Sequence, residues 1–389
     1  MSDAMARLFD QFDRGHISRR HLLQALGVAA VIRPAAAFAQ GTCGGAKAGT
    51  PQCNPTPAKL PFERTGWTTV LLDHFTIQVA DYKKEAAYYN ALMNWKIRSD
   101  DGKQAVLDIG DWGGLIIKGG YQAPPPPAPA PGAAAAGGGG GRGGAGGGGG
   151  RGPATPRNAI VTGFCWGIKD WNAKKVEAEL RKRGLDPIAD NDPKNDFESF
   201  HVKDPGGFDL QISNGNAKNR RQKPANAKLD VAAPWEATKW KTVWLDHISF
   251  EVADYKASVA FYDALLGWKP GTDEGSLNQC EIGNVGDILI RGGNSLDPNF
   301  GRGRAGADGT PGPIQPPRPS GIGHISFGIT PFDPDAVKAE LDKRGLNARE
   351  DTGGTGDIHT TKYKSYHTTT PNGFDLQISN LTFATRGPL

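Results

Sequence analysis

The residues best suited to chemistry in this chain are histidines set in short apolar runs. His247 lies in Trp244-Leu245-Asp246-His247-Ile248-Ser249-Phe250, His324 in Gly323-His324-Ile325-Ser326-Phe327, and His74 in Leu71-Leu72-Asp73-His74-Phe75. A neutral imidazole is a ready ligand for a divalent cation, and it titrates near neutral pH. Alternate residues of a strand face one side, so neighbouring strands can aim several such groups into one concave space. Two further histidines precede related endings. His367 follows Tyr366 ahead of Thr370-Pro371-Asn372-Gly373-Phe374-Asp375-Leu376-Gln377-Ile378-Ser379-Asn380, and His201 follows Phe200 ahead of Asp204-Pro205-Gly206-Gly207-Phe208-Asp209-Leu210-Gln211-Ile212-Ser213-Asn214. His359 sits in a Gly-rich stretch, where it is read as a solvated residue able to close over a ligand. The 4 cysteines lack the spacing of a zinc site. Cys43 and Cys53 could close a small disulfide loop, whereas Cys165 and Cys280 lie in apolar runs that favour buried thiols.

These residues need strands to hold them, and the sequence supplies the strands by repetition. Residues 70–79 alternate as a strand, 82–92 carry a helical pattern, and 95–97, 106–109 and 115–118 read as three further short strands. A strand over 161–168, a helix over 173–183 and later strands over 197–202 and 208–213 build the same unit a second time. The first unit then returns, with Leu245-Asp246-His247 answering Leu72-Asp73-His74 and Phe261-Tyr262-Asp263-Ala264-Leu265-Leu266-Gly267-Trp268 answering Tyr88-Tyr89-Asn90-Ala91-Leu92-Met93-Asn94-Trp95. A fourth unit runs from about 321 to 383. Four units pair into two domains, expected over 66–214 and 239–383. A connector spans 215–238, and low-complexity inserts occupy 121–157 and 294–320.

The 54 glycines and 29 prolines concentrate in those inserts, which bury too little apolar surface to offset the entropy of ordering. With 45 basic and 41 acidic residues and no basic block, the chain has no nucleic-acid groove. Arg19-Arg20 before the apolar stretch 22–32, with Ala37-Phe38-Ala39 beyond it, resembles a twin-arginine export signal over 1–39, followed by an extended leader over 40–65. It implies use of the twin-arginine export machinery and a periplasmic or secreted product. No apolar run is long enough for an integral membrane protein.

A strand carrying a histidine, an αβββ remainder and a Pro-Gly turn into a last strand, repeated four times, resembles the vicinal oxygen chelate superfamily, which includes glyoxalase I, extradiol dioxygenases and bleomycin-binding proteins. The resemblance implies an α+β fold of four βαβββ units paired into two cup-like domains, each able to hold a metal inside its curve. It implies His247, His324 and Gln377 as the metal ligands, with Gln377 where relatives usually carry glutamate, and Fe2+, Mn2+ or Zn2+ as the cation. His367, ten residues before that place, is the implied catalytic residue, and Tyr366 alternates away from it. Ile290 is expected at the corresponding last-strand place of the third unit. In the first domain His74 is retained, but Gly163 stands where His324 does and Gln211 replaces the acid, so that domain is expected to lack a metal.

Two functions remain open at this stage. One is a metal-dependent enzyme of glyoxalase or dioxygenase type acting on a small substrate with vicinal oxygens. The other is an exported protein that sequesters an aromatic or glycopeptide-like ligand in a cleft lined by Trp166, Phe250, Phe327 and Trp268. A two-domain monomer already contains the pseudo-dimer that one-domain relatives form by association, so a homo-oligomer is also open.

Overall fold

The computed structural model describes residues 58–124, 158–216, 225–297, 300–302, 310, 312–314, 320–354 and 356–385. The expected export signal, Cys43, Cys53 and most of the 121–157 insert lie outside the described residues.

The first half comprises β1 (Thr69–Val79), α1 (Tyr82–Met93), β2 (Lys96–Asp100), β3 (Gln104–Asp108), β4 (Gly114–Lys118), β5 (Ala159–Ile168), α2 (Ala173–Lys182), β6 (Ile188–Ala189), β7 (Ser199–Lys203) and β8 (Asp209–Ser213). The second comprises β9 (Lys241–Asp254), α3 (Tyr255–Leu266), β10 (Lys269–Asp273), β11 (Leu277–Ile282), β12 (Gly286–Gly293), β13 (Gly321–Thr330), α4 (Pro334–Lys343), β14 (Arg349–Asp351), β15 (Ser365–Thr369) and β16 (Asp375–Ser379). Each half is one 8-stranded sheet, ordered β2-β3-β4-β1-β5-β8-β7-β6 and β10-β11-β12-β9-β13-β16-β15-β14. The expected α+β architecture of paired βαβββ units is therefore present. The central antiparallel pair of each sheet, β1 with β5 and β9 with β13, carries His74 in the first half and His247 and His324 in the second. The last strand of each unit runs parallel beside its first.

Local chemistry sets the ends of the helices. Asp81, Asn172, Asp254 and Asp333 each accept a backbone N–H of the first turn with the side chain, offsetting donors that no helical carbonyl can reach. Helix α3 stops at Gly267, whose φ of 70° is left-handed and whose missing Cβ would meet the Trp67 carbonyl at 2.4 Å.

The halves share one core. Trp95 stacks on Tyr89 and meets Phe327 of the other sheet edge-on at 5.1 Å, while Trp268 stacks on Tyr262 and meets Trp166 at 5.2 Å. The indole N–H groups donate across the halves, Trp95 to Thr242 Oγ1 and Trp268 to Thr69 Oγ1. Trp166, Phe250, Phe327 and Trp268 are all at most 2% exposed, so they form this core rather than lining a cleft. The connector is packed as well: Trp235 meets Tyr88, and Thr238 donates to the Leu92 carbonyl. Among the described residues no helix is long and apolar enough to cross a membrane.

Candidate functional site

One irregularity in β9 builds the site. Leu245 pairs with Gly286 and Phe327, and His247 with Asp287 and Ser326, so Asp246 is an extra residue with no opposite number on either side. Such a bulge breaks the strict alternation and lets consecutive side chains reach the same region. Asp246 Oδ1 lies 3.0 Å from His247 Nδ1, while Asp246 Oδ2 accepts from Ser326 at 2.8 Å and from Tyr363 at 3.0 Å. Burial alone would raise the Asp246 pKa, but His247, Ser379 and Ser326 outweigh it, and the carboxylate is held below its usual range. A carboxylate at Nδ1 fixes the imidazole tautomer and leaves Nε2 as the free lone pair.

That lone pair faces His324: the two Nε2 atoms are 2.8 Å apart and the rings are nearly perpendicular, at 82°. Strands β9 and β13 thus bring together the two histidines singled out in the sequence. Gln377, on β16 beside β13, is 1% exposed. Its Nε2 donates to Ser365 Oγ at 2.7 Å and to the Tyr363 hydroxyl at 2.9 Å. Both hydroxyl protons are already committed, Ser365 to the Asp351 carbonyl and Tyr363 to Asp246, so the amide nitrogen must be the atom facing them. The buried Oε1 is left with no hydrogen-bond partner among the described residues. Two imidazole nitrogens facing one another suit a divalent cation, and the buried Gln377 amide oxygen, on the strand beside β13, is a further neutral donor.

His367 is held differently. Its Nδ1 lies 3.1 Å from Asp375 Oδ2 and its Nε2 3.1 Å from Asp351 Oδ2, and its ring sits edge-on to His324 at 4.9 Å. Burial would lower its pKa, but the two carboxylates reverse this and hold it at about 9. His367 is therefore an imidazolium at neutral pH, donating both of its N–H groups to carboxylates. The donor atoms of His324, His367 and Asp375 lie within 4.8 Å of one another. Arg349 also pairs with Asp375, at 2.9 Å.

Several of these residues were not singled out in the sequence. Asp246, Tyr363, Asp351 and Asp375 complete the site, and only the repeated Asp-His and Phe-Asp-Leu-Gln pairs hinted at two of them. Ile290 is not the counterpart of a last-strand ligand: it pairs with Phe250 and is fully buried, and the residue beside His247 on β12 is Asp287. Tyr366 packs away from the cup, 1% exposed, and His359 lies at the surface 3.8 Å from Asp335.

The first half repeats much of this. His201 lies between Asp209, 2.9 Å from Nδ1, and Asp190, 3.3 Å from Nε2, and Gln211 donates to Ser199. Asp73 is likewise bulged in β1, with Oδ1 2.9 Å from His74 Nδ1. The differences are Gly163 for His324, Cys165 for Ser326 and Phe197 for Tyr363.

No protein-family model matches the chain, and no curated protein matches it in sequence. Among solved structures, a halotolerant catechol dioxygenase is 12% identical with a TM-score of 0.50, the match covering 80% of this chain and 87% of that one. An Mn(II)-bound glyoxalase from Novosphingobium aromaticivorans is 13% identical over 82% of this chain and 86% of that one, at a TM-score of 0.49. A 2,3-dioxygenase from Pseudomonas sp. KL28 is 13% identical over 80% and 92%, also at 0.49. With its four βαβββ units paired into two eight-stranded sheets, the chain has the fold of the vicinal oxygen chelate superfamily.

Proposed function

We propose that the second half is a metal-dependent enzyme of the glyoxalase and extradiol dioxygenase kind, acting on a small substrate with two adjacent oxygens. The observation that carries this reading is the approach of His247 Nε2 and His324 Nε2 to 2.8 Å, with Asp246 behind His247. His247, His324 and the Gln377 amide oxygen would hold Fe2+, Mn2+ or Zn2+, which supplies Lewis-acid polarisation of both substrate oxygens. Asp246 keeps the His247 lone pair aimed into the cup, and Tyr363 and Ser326 keep Asp246 in place. The His367 imidazolium, its two N–H groups held by Asp375 and Asp351, stands edge-on to His324 and would steady negative charge developing on a bound substrate. Sequestration of an aromatic ligand is the weaker reading, because the aromatics it would use are core residues.

Metal analysis of the purified protein tests this. Stoichiometric iron, manganese or zinc that is lost in the His247→Ala/His324→Ala variant is expected; metal content unchanged by that variant would refute the ligand assignment. We also propose that the protein is exported by the twin-arginine route, on the strength of Arg19-Arg20 and the segment after them. Replacing both arginines by lysine should retain the protein in the cytoplasm, and unaltered export would count against the signal.

A further inference from the structure

The turn Thr370-Pro371-Asn372-Gly373-Phe374 joins β15 to β16, and groups of the second half's site are carried on both arms of this hairpin. Asn372 stands at the centre of the turn, five residues after His367 and five before Gln377, with Asp375 on the way. Strand β16 is bonded to β13, but beyond β15 the sheet ends in the three-residue β14. The far end of the hairpin needs support from outside its own sheet, and the first half supplies it.

Asn372 is 6% exposed, and its hydrogen bonds run to α1 and the segment before β5. Its Nδ2 donates to Glu85 Oε2 at 2.7 Å and to the Asp81 carbonyl at 3.2 Å, and its backbone N–H donates to the same Glu85 oxygen at 3.2 Å. In return its Oδ1 accepts from the Asp81 N–H at 3.2 Å, and its carbonyl accepts from the Asn158 N–H at 2.8 Å. Glu85 lies in the first turn of α1 and is fully buried. Burial pushes its pKa up, against the pull of Asn372 and Thr370. A buried carboxyl group is costly unless it is hydrogen-bonded, and Asn372 offsets that cost from the other half.

The equivalent joint between α3 and the first half's hairpin shows that the fold does not require this pair. In the register of the repeat, Ser258 stands in the place of Glu85 and Gly206 in that of Asn372. The acid there belongs to the turn instead: Asp204, in the place of Thr370, accepts from Tyr262 of α3 at 3.1 Å and from the Gly206 and Phe208 N–H groups. Glu85 and Asn372 therefore fasten the hairpin of the half with two facing imidazoles, and their counterparts are missing where Gly163 replaces His324.

We propose that Glu85, in the first half, is a positioning residue for the second half's site: through Asn372 it fixes the turn from which His367 and Gln377 are carried, and so where those side chains stand beside His324. Its bearing on catalysis rests on the enzyme reading given above, whereas the fastening is a property of the chain without metal.

Amide hydrogen exchange of the full chain without added metal tests the fastening in the parent, Glu85→Ala and Glu85→Gln. An amide oxygen can accept the two Asn372 N–H groups as Oε2 does, so Glu85→Gln should keep the parent's rates. Glu85→Ala should speed exchange across 365–379 by about 10-fold, the equivalent of one such hydrogen bond, and leave β9, β12 and the hairpin of β7 and β8 unchanged. Titration with Mn2+, read by electron paramagnetic resonance, then reports on the site through the ion that is lost in His247→Ala/His324→Ala. Its affinity should fall about 10-fold in Glu85→Ala and recover in Glu85→Gln. Where Glu85→Ala does not fold, Asn372→Gly copies the other turn, removes the same side-chain contacts and carries the same expectations. Unchanged exchange over 365–379, exchange raised equally in β9, or a Glu85→Gln variant that behaves like Glu85→Ala would overturn the proposal, as would Mn2+ affinity indifferent to a loosened hairpin. A parent protein that binds no Mn2+ would refute the enzyme reading alone, and the exchange result would still decide the fastening.

Discussion

Tyr363 is the residue on which the second half's site turns, although it touches neither imidazole in the metal-facing direction. Its hydroxyl donates to Asp246 and accepts from Gln377, joining the carboxylate behind His247 to the amide whose oxygen is orphaned. Tyr363→Phe should leave the fold intact, since Phe197 occupies the same place in the first half, but should weaken metal binding by about 10- to 100-fold, as the loss of an outer-shell partner does. Titration of the apo protein with the metal, alongside thermal unfolding, checks this; an unchanged affinity would show that Asp246 needs no help from the tyrosine. His247 and His324 were legible because each is a histidine in a repeated apolar run. Asp246 was not, because in a regular strand it would face away from its neighbour, and only the bulge brings both to one place. Asp375 was hidden for another reason: in the sequence it reads as the polar flank of a turn, and its two contacts, His367 and Arg349, come from separate strands.

At the level of elements, the histidine held by two aspartates recurs in both halves, with or without the second imidazole, so its shared role is to join strands. Asp190 follows the two-residue strand β6, His201 lies on β7 and Asp209 on β8, and the triplet ties the sheet's edge together. Strands of two or three residues show no periodic pattern, and neither β6 nor β14 was recognisable in the sequence, whereas the long central strands were. The Asp209 contact raises the His201 pKa above 6.5, against a smaller opposing effect of burial. A histidine whose folded pKa is raised contributes stability that is complete below its unfolded value and lost as pH climbs through the folded one. Asp209 is shifted the other way: burial pushes it up, but His201 and Lys203 hold it below 3.8, so its contribution disappears only as the pH falls through that lowered value. His201→Gln should therefore cost about 1.5–3 kcal/mol near pH 6, as expected for a hydrogen bond to a charged group. The difference from the parent should shrink as denaturant unfolding is repeated at rising pH. A cost that stays constant up to pH 10 would mean that charge on His201 plays no part.

Among the described residues, two eight-stranded sheets are joined through their aromatic faces, and the joining was the least legible part of the sequence. Trp268, Trp166 and Phe327 read as pocket walls because large aromatics often line ligand clefts; what they cover is each other, across an interface whose partner lies far along the chain. Each tryptophan both fills the shared core and donates its N–H to a threonine of the opposite half, so removing one ring leaves a large cavity and takes a donor from that hydroxyl. Further contacts follow the same crossed pattern: Tyr262 donates to Asp204 of the first half at 3.1 Å, and Asn372 of the second donates to the buried Glu85. Each half is therefore expected to unfold together with the other. Trp95→Ala and Trp268→Ala should each cost about 3–5 kcal/mol. Denaturant unfolding followed by tryptophan fluorescence and by circular dichroism should show one coincident transition for the parent protein and for both variants. Two separated transitions, with one half surviving the loss of Trp268, would mean that the cups are independent domains and that the shared aromatic core contributes little to holding them together.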